Sequence, residues 1–180
     1  MKSIEITGKR NIDKIHQIKE PERKNTMKWK LDETYYTYEQ QIRIINMLYL
    51  EEETKNEPGV LTKREISNKI TGYKNQDKQN NILDLNYLIS LSDVIEKLMT
   101  CKLKCFYCRE NCELLYKNTF SKKQWTLDRI DNNYGHNHDN VVICCLECNV
   151  QRGDMDSERF KKGKEIKVLN LIMKIKNQKI

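Results

Sequence analysis

Apolar positions first become periodic at Thr37. In YEQQIRIINMLYLEEE, residues Ile42, Ile45, Met47, Leu48 and Leu50 recur at roughly helical spacing and acids close the run. The stretch KNEPG, Lys55 to Gly59, breaks the pattern. A second helix is expected in LTKREISNKITGY. Thr62 and Glu65 have capping-box spacing, Ile66 and Ile70 share a face, and Gly72 suits a helix stop. A third apolar-periodic segment runs from Ile82 to Leu98 and includes Leu85, Leu88, Ile89, Leu91, Val94 and Ile95. Residues 35–100 therefore read as a helical region, either a helix-turn-helix-like bundle or a plain helical cap. In the first case Tyr73, Lys74 and Lys78 are the residues to test for phosphate contact.

The period then changes. Trp125 to Asp131 alternates apolar and polar residues, as a strand does. Asn132–Asn133–Tyr134–Gly135 is a loop signal. Asn140 to Cys144 is β-branched and apolar, a second and buried strand, and LECNVQRGDMDSERF follows as a short helix. The expected fold class is α+β: a helical N-terminal region followed by a small strand–loop–strand–helix domain over 101–160. Residues 1–34 are polar with mixed charge and read as a flexible arm. Residues 161–180 read as a basic amphipathic helix, with Lys161, Lys162 and Lys164 among its cations and Ile166, Leu169, Ile172 and Ile175 on its apolar face.

Composition narrows the picture. The 180 residues are 38% hydrophobic and 33% charged, with net charge +7, which permits a polyanionic partner. No apolar run is long enough to span a bilayer, and MKSIEITGKR lacks a signal-peptide core. A soluble intracellular protein is expected, with no membrane partner and no stated oligomeric state. Seven cysteines in a reducing compartment point to metal ligands or buried thiols rather than disulfides.

Two cysteine pairs have knuckle spacing, Cys105–Cys108 in CFYC and Cys145–Cys148 in CLEC. Each CxxC aims two thiolates at one point, so the two pairs together close a tetrahedron around structural zinc. Cys101 and Cys112 flank the first pair and stand as alternative ligands. Cys144 alternates away from Cys145 on a strand and reads as core, as do Trp125 and Phe106 near the zinc.

CFYC (105–108), LDRID (127–131), GHNHDN (135–140) and CLECN (145–149), with Arg152 and Gly153 following, resemble the HNH endonucleases. That family has a ββα-metal fold with zinc-bound CxxC knuckles. The match is close to a subset found in phages and large DNA viruses, and it covers roughly Cys101 to Phe160. The resemblance implies DNA as substrate, with RNA not excluded, and a cytoplasmic or host-nuclear location if the chain is viral. It implies that Asp128 and Asn149 hold one catalytic Mg²⁺ or Mn²⁺. It also implies that Asn140 pins the loop between the strands. Carboxylate and amide oxygens are hard donors suited to such ions.

Arg129 departs from the family pattern, which has a general-base histidine directly after the aspartate. Arginine does not release its proton at neutral pH. Three expectations follow: His136, His138 or Asp131 is the base; Arg129 clamps a phosphate while water is activated otherwise; or the chain binds nucleic acid without cutting it. Arg152, Lys161, Lys162 and Lys164 are the other expected phosphate contacts.

Overall fold

A computed structural model describes residues 26–51 and 57–166. The larger part of the expected arm, residues 1–25, and residues 167–180 of the expected tail lie outside the described residues. A 3₁₀ turn, Glu33–Tyr36, leads into helix α1 (Tyr38–Tyr49), then α2 (Glu57–Gln79) and α3 (Leu91–Thr100). Strands β1 (Trp125–Arg129) and β2 (Val141–Cys145) follow, then α4 (Leu146–Arg152). A last helix, α5, occupies 157–166. None of the helices among the described residues is long and apolar enough to cross a membrane.

The α+β class holds. α1 buries Ile44, Ile45 and Leu48, a one-sided stripe. It also buries Gln41, whose Nε2 donates to Leu115 O (3.1 Å) and whose Oε1 accepts from Leu114 N (2.6 Å). That amide satisfies two backbone groups of a buried loop, which apolar periodicity does not reveal.

α2 corrects the expected boundaries. It begins at Glu57, so Thr62 lies inside it and donates to Pro58 O (2.8 Å) instead of capping. Glu65 is buried and accepts from Tyr116 Oη (2.5 Å) and Lys28 Nζ (2.5 Å). Gly72 does not stop the helix, because Tyr73 and Asp77 beyond it are anchored in the core. The third segment is also shorter than its periodicity predicts. Residues 82–90 are irregular, Leu85 is 65% exposed, and α3 starts only after Ser90, whose hydroxyl and Asp93 form the actual capping box. The connection 80–90 exceeds the three- or four-residue turn of a helix-turn-helix.

β1 and β2 pair antiparallel, with Trp125 opposite Cys145, Leu127 opposite Ile143 and Arg129 opposite Val141. Ile66, Val94 and Leu98 of the helices belong to the same buried cluster as Trp125, Leu127 and Ile143 of the strands. The helical region and the strand pair therefore share one core.

Candidate metal centre and adjoining strand–helix junction

The first knuckle is a tight hairpin. Cys105 N donates to Glu110 O (2.9 Å), Arg109 N donates to Cys105 O (3.0 Å), and Arg109 takes φ 63° to turn the chain. Phe106 N donates to Ile143 O (2.9 Å), which fixes this hairpin to β2. The second knuckle begins at the last residue of β2. Cys145 caps α4, its Sγ accepting from Cys148 N (3.5 Å).

The four Sγ atoms of Cys105, Cys108, Cys145 and Cys148 lie within 4.8 Å of one another, with Cys108 and Cys145 3.9 Å apart. Tetrahedral Zn–S bonds of about 2.3 Å require S···S separations of about 3.8 Å, so the cluster fits a structural zinc ion. Electrostatics favour a cation as well. Hydrogen bonds, first from Cys108, hold the Cys105 thiol well below its ordinary value, while the same crowding pushes Cys145 and Cys148 up. A divalent ion removes that competition. Cys101, Cys112 and Cys144 are outside the cluster; Cys144 is buried against Thr126 Oγ1 (3.2 Å).

Asp128 sits on β1 beside this centre and is 6% exposed. Its Oδ2 accepts from Tyr107 Oη (2.6 Å) and its Oδ1 from Arg152 Nη1 (2.6 Å). Burial pushes its pKa up despite both partners. Arg152 is 4% exposed and also reaches Ile130 O (3.2 Å), so its expected phosphate contact is corrected: it is a buried counter-ion. Asn149, one turn earlier on α4, donates from Nδ2 to Thr126 Oγ1 (3.1 Å) and Leu127 O (3.1 Å). With the nitrogen committed to β1, the amide oxygen is the atom left for a ligand.

The loop between the strands is braced at each end. Arg129 Nη1 donates to Asn132 O (3.4 Å) and Tyr134 O (3.3 Å), so the guanidinium faces loop carbonyls. Asp131 Oδ1 accepts from Asn133 N (2.9 Å), a local turn. The Asn140 side chain makes three bonds: Oδ1 accepts from Asp131 N (2.9 Å), and Nδ2 donates to Asp131 O (2.9 Å) and Gly135 O (3.0 Å).

The two loop histidines part company. His138 is exposed, stacks on Tyr87 at 6.5 Å and borders a groove of about 570 Å³ with Asp93, Phe106 and Arg109. His136 is 3% exposed and stacks on Tyr73 at 4.4 Å. Its Nδ1 meets Asp77 Oδ1 (2.7 Å) and its backbone N donates to Asp77 Oδ2 (2.6 Å). Burial lowers its pKa more than Asp77 raises it. Tyr73 Oη accepts from Leu127 N (2.9 Å), next to Asp128, so Tyr73 bridges the histidine and the strand rather than meeting phosphate.

Of the tail lysines, Lys161 lies over the Phe106 ring (4.4 Å), Lys164 donates to Gln151 Oε1 (2.6 Å), and Lys162 is exposed. Asp77, Tyr107 and Tyr73 as a bridge were missed from sequence. Their only signal was a polar or aromatic residue at a core-facing position, and their partners are 21 to 59 residues away. Compared with family models, with curated proteins and with solved structures, the chain matches none.

Proposed function

We propose that this protein is a metal-dependent endonuclease that hydrolyses DNA phosphodiester bonds, nicking or cutting the duplex. The observation that supports this most is the junction of β1 and α4 beside the cysteine cluster. Asn149 is tied to Thr126 and Leu127, the two residues preceding Asp128. An asparagine there has no part in holding zinc, but its amide oxygen is a hard donor on the helix bonded to β1, the strand that carries Asp128.

The donor set fits a Mg²⁺ or Mn²⁺ ion. A carboxylate offers about four lone-pair positions, of which Tyr107 and Arg152 use two. Burial raises the Asp128 pKa, a cost that a nearby cation offsets. When bound, the ion supplies positive charge for the phosphate oxygens in the transition state. The cysteine centre does no chemistry; it sets the angle between β1 and α4. His136 is the base this reading favours. Asp77 engages Nδ1, burial holds the ring's pKa down, and in this reading Nε2 takes the proton of the water that attacks phosphorus as the bond to the leaving oxygen breaks. Asp131, whose Oδ1 serves its turn, and exposed His138 beside Tyr87 stand as the alternative bases.

A second reading, a zinc-stabilised nucleic-acid-binding protein without catalysis, is favoured by Arg129 facing loop carbonyls and by the Asp128–Arg152 pair. Purified protein is incubated with supercoiled plasmid and Mg²⁺, Mn²⁺ or neither. Metal-dependent nicking by wild type, lost in Asp128→Ala and Asn149→Ala, is the expected result. No nicking by a folded, zinc-loaded wild type overturns the proposal in favour of the second reading.

A further inference from the structure

The longest helix among the described residues carries a face that neither the metal centre nor the strand–helix junction uses. α2 spans 23 residues, about 34 Å at 1.5 Å per residue. Its inner face is accounted for: Glu65, Ile66 and Asp77 are buried and Tyr73 reaches β1. Its outer face carries Arg64, Asn68, Thr71, Asn75 and Gln79, all exposed. Their spacing of three or four residues sets them in one row along the helix. Lys74 and Lys78 are exposed along the edge of that row.

The charge on this surface is one-sided. The chain holds 26 acids, yet beyond Glu57 the only acids of α2 are Glu65 and Asp77, and both are buried. The outward surface from Arg64 to Gln79 therefore presents three cations among amides and hydroxyls, and no carboxylate. An ordinary solvated helix face mixes both signs. Arginine, lysine, asparagine and glutamine are also the side chains that pair with guanine and adenine edges.

We infer that the outer face of α2, Arg64 to Gln79, docks in the major groove of duplex DNA. Arg64, Lys74 and Lys78 neutralise phosphates, while Asn68, Asn75 and Gln79 lie toward the bases. B-form DNA admits an α-helix in its major groove; the deep, narrow major groove of duplex RNA does not. The inference shares the choice of DNA with the proposed function but requires no cleavage.

The test uses full-length, zinc-loaded protein without added magnesium or manganese, so binding is read apart from hydrolysis. Labelled DNA and RNA duplexes of one sequence are titrated by fluorescence anisotropy at several salt concentrations. The triple variant Arg64→Gln/Lys74→Gln/Lys78→Gln is compared with Lys161→Gln/Lys162→Gln/Lys164→Gln. Zinc content and melting temperature confirm that both variants fold. The α2 variant is expected to bind duplex DNA about tenfold or more weakly, with the slope of log K against log salt reduced by about three. Guanine N7 atoms protected from methylation by wild type become reactive with that variant. Unchanged affinity of the α2 variant, binding without N7 protection, or equal binding of duplex RNA through the same residues overturns the inference. A protein that binds through α2 yet never nicks plasmid overturns only the proposed function.

Discussion

Asp77 on α2 holds His136 twice, through the ring nitrogen Nδ1 at 2.7 Å and through the backbone N–H at 2.6 Å, across 59 residues of sequence. The carboxylate is fully buried, and Gly135 packs directly on it. A Cβ at Gly135 meets Ile82 O at 2.7 Å and Asp77 Oδ2 at 2.9 Å. Asp77→Ala leaves two buried donors without partners and is expected to cost about 3 kcal/mol. Gly135→Ala pushes the loop off α2 and is expected to cost more than about 1 kcal/mol. Urea unfolding of both variants checks the two values. Stability equal to wild type refutes the bracing role.

Arg152 and Asp128 form the second long-range pair, 2% and 7% exposed at their side chains. Arg152→Leu strands a buried carboxylate whose remaining partner is Tyr107, so a loss of about 3–5 kcal/mol is expected. Adding Asp128→Asn to that variant removes the stranded charge and is expected to restore part of the loss. A double-mutant cycle in denaturant measures the coupling. Additive losses would mean that the pair is not coupled.

The cysteine centre is expected to carry much of the stability of the strand–helix half. Structural zinc contributes on the order of 10–16 kcal/mol of apparent binding energy in small fingers. One zinc per chain is expected by metal analysis. Chelation is expected to remove near-ultraviolet dichroism from Trp125, which packs in the same buried cluster as the cysteines. Cys148→Ser is expected to lose both zinc and the fold, whereas Cys101→Ser keeps both. Loss of zinc in Cys101→Ser would contradict the four-cysteine set.

Lys69 lies under β1, donating to Trp125 O (2.5 Å) and Gln124 Oε1 (3.1 Å) and facing the Trp125 ring at 4.6 Å. Burial pushes its pKa down to about 7. Between that value and the ordinary lysine range near 10.4 the unfolded chain binds more protons than the folded one. Stability therefore rises with pH across this window. Thermal melts of wild type and Lys69→Met from pH 6 to 10 are expected to show a weaker rise in the variant. Parallel curves would remove Lys69 as the cause.

Local rules made part of this protein legible from its residues alone. The CxxC pairs announced a four-sulfur centre, because the spacing itself sets two thiols on one side of a turn. The alternation from Trp125 and the β-branched run to Cys144 marked both strands, because a period of two needs no partner to be seen. The helices were found, but their ends were not. Thr62 looked like a cap but lies inside α2, which already begins at Glu57. Gly72 looked like a stop but lies inside α2 because Tyr73 and Asp77 beyond it are held by partners more than fifty residues away. Leu85 looked like core and is exposed, since residues 82–90 are drawn into a bridge between Leu88 and Asn137.

The roles of the polar residues were decided by the tertiary structure. Arg152 followed the second knuckle and read as a phosphate contact; folding α4 against β1 turned it inward to Asp128. His136 and His138 were equivalent on paper. The loop buried one against α2 and left the other at the surface, because only Asp77 offers a buried carboxylate at that point. Sequence determined which residues have metal-binding and proton-binding chemistry, since that chemistry is written in side chains and short spacings. Tertiary structure decided which of them are paired or buried, since a hydrogen bond across 59 residues leaves no periodic trace in the chain.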